Sequence, residues 1–460
     1  MRQADPGGIA IAGEGIAITH EDVDRARDRL ALDRARRSHR LRWLRLLWLL
    51  AGPGILVMLG ENDAPSMLSY AATGARFGIG FFLPFVLVTF VMAFIVQDMT
   101  VRLGSISHRG HAELIFDRFG PFWGRFAMAD LVLGNFLTLI TEFIGIRAGL
   151  GFFGVPPLLA VSLALAVVVA ATLTSRYWTW ERLTLGLAAC NAIFVPVALL
   201  AHPHWNAVGR AMATWGPLPG GLRPETLMIL LADIGATVTP WMLFFQQGAV
   251  VDKGLQPRDI RSARVETAVG AALAAVFAIA CILATAPLYQ HGIAAGAFRA
   301  ADFARALVPY VGRVGAALFA LGIFEAGLVA AITISTSSAY AFGEATHTSH
   351  SLNRPLRDAW PFYTALLSSA ILAALLVLIP HAPLEFVVLV VNVIAVLSMP
   401  PALILLLLLV NDRAVMGDQR PGPWSNAATI TVTVVLVAVG LLYGASVVAP
   451  TAFAHLLARL

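Results

Sequence analysis

Apolar runs of membrane-spanning length recur along nearly the whole chain. They lie near 46–74, 80–98, 126–149, 156–174, 183–201, 225–250, 266–288, 315–343, 360–380, 384–410 and 427–448. As a helix, a run of about 20 apolar residues crosses the hydrocarbon core of a bilayer. Lipid offers the backbone no hydrogen-bond partner, so each run must satisfy its own amides and carbonyls. The pattern predicts an all-α polytopic membrane protein of eleven spans. Composition agrees: 58% of the 460 residues are hydrophobic and 13% charged. A soluble globular chain carries roughly 25% charged residues, so an ordinary water-soluble enzyme is excluded. Disorder, collagen, coiled coil and a disulfide scaffold are excluded with it. Cys190 and Cys281 sit inside apolar runs and are expected to be small buried hydrophobes.

Charge sets the expected orientation. Residues 1–45 hold ten arginines and seven acids, with no secretory cleavage pattern. They are expected to form an Arg-rich cytoplasmic N-terminal tail, either a charged surface helix or a disordered segment near the headgroups. Counting basic residues with the N-terminus inside places 24 on the inner side and seven on the outer, with Arg147 inside a span. That bias predicts a multi-pass protein of the cell membrane with a cytoplasmic N-terminus. The net charge of +5 belongs to this pattern, with the lipid bilayer and not nucleic acid as partner. Lys253 is the single lysine and falls in an expected cytoplasmic loop. The stretches 202–224 and 289–314 are loop-sized. Without a soluble domain or a GxxxxGK[ST] loop, a secondary transporter fits better than a receptor or an ATP-driven pump.

Two spans are broken. The first reads Gly52-Pro53-Gly54-Ile55-Leu56-Val57-Met58-Leu59-Gly60-Glu61-Asn62-Asp63-Ala64-Pro65-Ser66-Met67. One charge at a helix centre costs about 2.5–3.5 kcal/mol on insertion scales, so two within three residues need a reason. Pro65 removes an amide and crowds the carbonyl of Glu61, which favours unwinding. The sixth span reads Asp233-Ile234-Gly235-Ala236-Thr237-Val238-Thr239-Pro240-Trp241, where Pro240 frees the Ala236 carbonyl. Discontinuous first and sixth helices, five spans apart, point to inverted repeats with a site at the midplane. Freed carbonyls with the Asp63 carboxylate make a hard-oxygen cage for a cation.

From about 50 to 420 the chain resembles the Nramp family of divalent-metal transporters, which has the LeuT-type fold. The family's first span carries Gly-Pro-Gly, an Asp-Pro-Gly-Asn break and a Gly-Ala-x-Phe-Gly close. Here these are Gly52-Pro53-Gly54, Asp63-Ala64-Pro65-Ser66 and Gly74-Ala75-Arg76-Phe77-Gly78. The family's sixth span reads Gly-Ala-Thr-Val-Met-Pro-His, against Gly235-Ala236-Thr237-Val238-Thr239-Pro240-Trp241. The tenth matches at Asn392, eight residues before Pro400, with the following loop Asn411-Asp412-Arg413-Ala414-Val415-Met416-Gly417.

The resemblance implies two inverted five-helix repeats, about 46–201 and 225–410, an eleventh helix at 427–448 and a short tail at 449–460. It also implies a metal cage: the Asp63 side chain, the Gly60 and Ala236 carbonyls, Ser66 and Thr239 directly or through water, and Asn392. The metal is the substrate, and no cofactor is expected. Two departures bear on selectivity. Ser66 stands where the family has Asn, and Thr239 where it has a Met thioether. Carboxylate, carbonyl and hydroxyl suit Mg²⁺ or Mn²⁺, whereas thioether favours Cd²⁺. The chain looks like the divergent magnesium and manganese branch of the family; continued Fe²⁺ transport is the alternative. Glu61 and Asn62 either widen the acidic site or line an outer vestibule, and Glu61 is expected nearer water than Asp63.

Family members cotransport a proton through acids in the third span and histidines in the sixth. Here Glu142 is kept, but Leu139 replaces the preceding acid, and Trp241 and Gln246 replace the histidines. The relay is thinned, leaving Glu142, Asp233 and Glu61 as proton or gating candidates. Asp233 sits one turn outward of Ala236, where an acid attracts cations. Glu142 and Arg147 at i, i+5 fall off one helical face and are not expected to pair. Glu325 matches no acid in the pattern. His108, His111, His347 and His350 are expected to be solvated loop residues. The run Thr333-Ile334-Ser335-Thr336-Ser337-Ser338 suits helix packing or a cation path. An amino-acid or other organic-solute transporter is the competing function. Two acids in the first break would repel its carboxylate. No GxSxG elbow or zinc triad supports an intramembrane enzyme.

Overall fold

The computed structural model describes residues 52–173, 176–290, 300–348, 351–379 and 384–448. The expected tails at 1–45 and 449–460, and the first six residues of the first span, lie outside these. Every regular element among the described residues is helical.

The first span is two helices, α1 (Pro53–Gly60) and α2 (Ala64–Phe77), separated at 61–63. Then follow α3 (Phe82–Ser107), α4 (His111–Gly151), α5 (Pro157–Thr172) and α6 (Tyr177–Ala188), which runs through a 3-10 turn into α7 (Phe194–Leu200). A short α8 (Trp205–Thr214) precedes the second broken span, α9 (Pro224–Gly235) and α10 (Pro240–Asp252). The second half continues with α11 (Ile260–Gln290), α12 (Ala300–Thr346), α13 (Trp360–Val377) and α14 (Leu384–Asn411). A single turn, α15 (Arg413–Met416), leads to α16 (Pro423–Val448). Among the described residues nine segments are long and apolar enough to cross a membrane, and Pro157–Thr172 is a shorter apolar helix. With the broken pair at 53–77 these make the eleven spans expected. Both broken spans restart on proline: Pro65 lies in the first turn of α2 and Pro240 opens α10. At those positions the missing amide costs no helical hydrogen bond.

The third and eighth spans match in form as an inverted repeat requires. Each begins as an arm and turns at a left-handed glycine, Gly120 in α4 (φ 84°) and Gly312 in α12 (φ 70°). These arms occupy parts of 102–125 and 289–314, expected as loops, and α8 occupies part of 202–224. Their mixed polarity hid them from a search for long apolar runs.

Polarity is inverted relative to a soluble protein. Apolar side chains such as Leu441 and Val434 face outward, while Glu61, Asn62, Glu142, Asp233 and Gln247 are enclosed. Long helices α4 and α12 pack along one another, and α11 lies against both halves of the first span. Small residues allow this closeness: a Cβ on Gly145 would stand 2.2 Å from the Cβ of Ala64, and one on Gly74 2.3 Å from the Ile282 carbonyl oxygen.

The N-terminus of α1 is fastened by Glu266 of α11. Its Oε1 accepts from the amides of Gly52 at 2.7 Å, Gly54 at 2.9 Å and Ile55 at 3.1 Å. This satisfies amides that a helix start leaves without intrahelical partners. Nearby, Lys253 Nζ pairs with Glu181 at 3.1 Å, with both side chains 2% exposed, and lies over the Trp178 ring. Lys253, placed by sequence in a cytoplasmic loop, is therefore a buried ion-pair member.

Two further expectations are corrected. His111 opens α4 fully buried, its Nδ1 2.7 Å from Gln247 Oε1, because packing of the arm against α10 removes it from water. His108 is exposed, as expected, and His350 lies outside the described residues. Cys281 is buried, but Cys190 is exposed on the apolar outer surface. Hydropathy cannot tell an inward-facing position from an outward-facing one on such a helix.

Candidate metal site between two broken helices

Asp63 has extended backbone (φ −74°, ψ 174°) and occupies the N-cap of α2. Its Oδ1 accepts the Ser66 amide at 2.8 Å, and the Ser66 hydroxyl also reaches the carboxylate. Asp-x-x-Ser spacing is a natural capping pattern, so one short segment both restarts the helix and presents an anion at its positive end. Thr239 holds the corresponding place before α10, again extended (φ −126°, ψ 153°), yet its side chain does not cap that helix. Its Oγ1 donates instead to Glu61 Oε1 at 2.7 Å, across from the first break. Ala236, which ends α9, offers its carbonyl to the Tyr70 hydroxyl at 3.0 Å.

The two breaks are thus adjacent and bridged. Gly60 ends α1 against them: a Cβ there would lie 3.3 Å from Thr333 Oγ1 and 3.4 Å from the Trp241 ring. Asn62 turns away, donating to the Ala274 carbonyl at 2.9 Å. Of the expected cage, Asp63, Ser66, Gly60, Ala236 and Thr239 are all buried at this junction. The side chain of Asn392 lies outside the described residues. Among the described residues no three His, Cys, Asp or Glu side chains converge as a metal site by themselves. A cation here therefore needs the carbonyls and hydroxyls as well as the acids, a donor set of oxygens.

Glu142 enters from α4. One oxygen accepts the Ala64 amide at 3.1 Å, the other has no hydrogen-bond partner among the described residues, and the carboxyl lies beside that of Asp63. Arg147 donates to the Val377 carbonyl at 2.9 Å, so it does not serve Glu142, as its spacing implied. Asp233 is fully buried, with both oxygens within 3.0 Å of the Thr73 hydroxyl. It braces α9 to α2 and lines no open approach in this conformation. Glu61, expected nearer water than Asp63, is fully buried because Thr239 draws it into the junction. Ser337 donates to the Trp241 carbonyl at 3.0 Å and Ser338 accepts from Asn135 at 2.9 Å, so the polar run of α12 packs against its neighbours. Glu325 is buried with neither oxygen hydrogen-bonded among the described residues.

Tyr70 and Thr73 were not singled out from sequence. Asp63, Ser66, Tyr70 and Thr73 recur at steps of three and four along a helix whose other polar residues are Ser69 and Arg76. That polar stripe is the signal for one face turned to a partner.

The family model described as natural resistance-associated macrophage protein-like, Nramp, matches residues 54–446. The divalent metal cation transporter MntH of Brucella suis biovar 1 is 28% identical over 400 residues, covering 84% of this chain and 86% of that protein. The protein of that name from Burkholderia ambifaria is 24% identical over 337 residues, covering 70% and 74%. Among solved structures, an Eremococcus coleocola manganese transporter superposes with a TM-score of 0.68 at 22% identity over 90% of both chains. MhsT in complex with L-phenylalanine superposes with a TM-score of 0.56 at 14% identity, covering 86% of this chain and 98% of that one. The last two likenesses show the fold.

Proposed function

The chain belongs to the Nramp family, and from that premise we propose that it is a secondary transporter of divalent metal cations, favouring hard ions of the Mg²⁺ and Mn²⁺ type. The observation that carries the reading is the meeting of two helix breaks around buried oxygens, with Asp63 capping α2 and Thr239 where a sulfur ligand would stand. Mg²⁺ sheds its water reluctantly and prefers oxygen ligands, and Mn²⁺ accepts the same donors. The names of the MntH relatives support a divalent cargo.

The mechanism is alternating access about this junction. The described site residues are enclosed, which supports a state in which the site is closed to water. Release requires one half of a broken helix to move while its other half stays packed, which a break at 61–63 and another at 236–239 permit. The position of Glu142, beside Asp63 and held by the first amide of α2, supports a role in taking or giving a proton as the metal comes and goes. No histidine follows it in the sixth span, so any coupling runs through carboxyls alone. An organic-solute carrier of the same fold is the second reading, and the acids of the first break stand against a carboxylate cargo. The N-terminus is assigned to the cytoplasm by the basic-residue bias.

Uptake into proteoliposomes across Mg²⁺, Mn²⁺, Fe²⁺ and Cd²⁺, with an internal pH dye, tests the reading. Mn²⁺ or Mg²⁺ uptake that Cd²⁺ inhibits weakly is expected. Uptake of an amino acid with no response to any metal would overturn it.

A further inference from the structure

Resting on the metal-transport reading, we infer that Glu61 is a second anionic ligand of the transported cation, positioned by Thr239. The site then holds two carboxylates, where the sequence comparison with the family assigned one.

Three observations lead there. Glu61 is the first residue past α1, and its amide still bonds to the Val57 carbonyl at 3.0 Å, so its backbone is anchored. Its side chain nevertheless reaches the second break, 2.7 Å from Thr239 Oγ1. Its carboxyl therefore stands between the two chain breaks. The other oxygen, Oε2, is buried without a hydrogen-bond partner among the described residues. Leaving a buried charged acceptor unmet is costly, so an enclosed carboxylate of this kind calls for a ligand. Finally, no Lys, Arg or His side chain pairs with Glu61 or Asp63 among the described residues. With Glu142 beside Asp63 left to carry the proton, the carboxylates of Glu61 and Asp63 need two positive charges, and one divalent cation supplies both.

Thr239 then acts through Glu61. A hydroxyl that donates to one carboxylate oxygen fixes the rotamer and leaves the second oxygen for the metal. The Ala236 carbonyl, which among the described residues accepts only from Tyr70, keeps a second lone pair for the same ion. A donor set of two carboxylates and carbonyls is hard throughout and gives a thiophilic ion no advantage.

Calorimetric Mn²⁺ binding to wild type, Glu61→Gln and Thr239→Val tests the assignment. Glutamine keeps the acceptor for Thr239 and removes the charge. The expected result is a Kd for Mn²⁺ raised about tenfold or more in Glu61→Gln, with Cd²⁺ weakened less and Thr239→Val intermediate. A folded Glu61→Gln protein that binds Mn²⁺ within about twofold of wild type overturns the ligand role. If Glu61→Gln does not fold, infrared difference spectra of ¹³C-glutamate-labelled Glu142→Gln protein decide. Mn²⁺ must shift a glutamate carboxylate band, and an unshifted spectrum overturns the role. Wild type that neither binds nor carries any divalent ion overturns the transport reading itself, a separate outcome.

Discussion

The Thr239 hydroxyl donates to the Glu61 carboxylate across 2.7 Å, joining two helix breaks whose residues lie 178 apart in sequence. The place where the family carries a soft ligand is thus occupied by a donor already committed to an acid. On the proposed reading, selectivity would rest on that pair together with Asp63.

Asp63→Asn should abolish uptake while the protein still folds. The amide oxygen can still cap α2 through the Ser66 amide, but the anion is gone. Loss of a direct ligand should exceed the roughly 10–100-fold effect of outer partners. Metal uptake, with size-exclusion profiles as the folding control, measures it. Near-normal uptake would dismiss Asp63 as a ligand.

Thr239→Met should raise the Cd²⁺/Mg²⁺ transport ratio. A thioether adds a soft donor and removes the hydroxyl that orients Glu61, so Cd²⁺ gains while Mg²⁺ loses. Competition uptake at equal insertion gives the ratio, and an unchanged value contradicts the hard-ion reading.

Gly145→Ala should destabilise the fold near the site. The new Cβ would stand 2.2 Å from that of Ala64, the first residue of α2. Overpacking of this kind costs about 1–3 kcal/mol. A lowered melting midpoint in detergent is expected, with impaired uptake, because α2 carries Asp63 on its N-cap. Gly134→Ala, in the same helix but meeting nothing within 4 Å, should melt like wild type.

Lys253→Met should be more damaging than the double variant Lys253→Met/Glu181→Leu. The single change strands Glu181, 2% exposed, without its cation. Breaking such a buried pair costs about 3–5 kcal/mol, whereas replacing both members with apolar groups is often close to neutral. Detergent melting of the two singles and the double closes the cycle. Equal loss in Lys253→Met and the double variant would show that the pair is not coupled.

Span number, the two breaks and the buried acid that restarts the first span were legible in the sequence because each is a local property. A span needs only a stretch of apolar residues, and a break needs only a proline and charges where lipid forbids them, as at 61–65 and 236–240. Asp63-Ala64-Pro65-Ser66 even contains its own cap and helix start. The helical arms before Gly120 and Gly312 were missed because mixed polarity resembles a loop when only apolar length is counted.

What tertiary structure alone decided is the identity of partners. Glu61 faces Thr239 and not water, Tyr70 meets the Ala236 carbonyl, Glu142 meets the Ala64 amide, and Lys253 is enclosed with Glu181. Each pair comes from separate spans, brought together by close approaches such as Gly145 against Ala64. A polar group inside an apolar helix announces that it needs a partner, since lipid supplies none. Which partner it finds depends on how neighbouring helices are rotated and spaced, and that follows from packing over the whole bundle and not from its own segment.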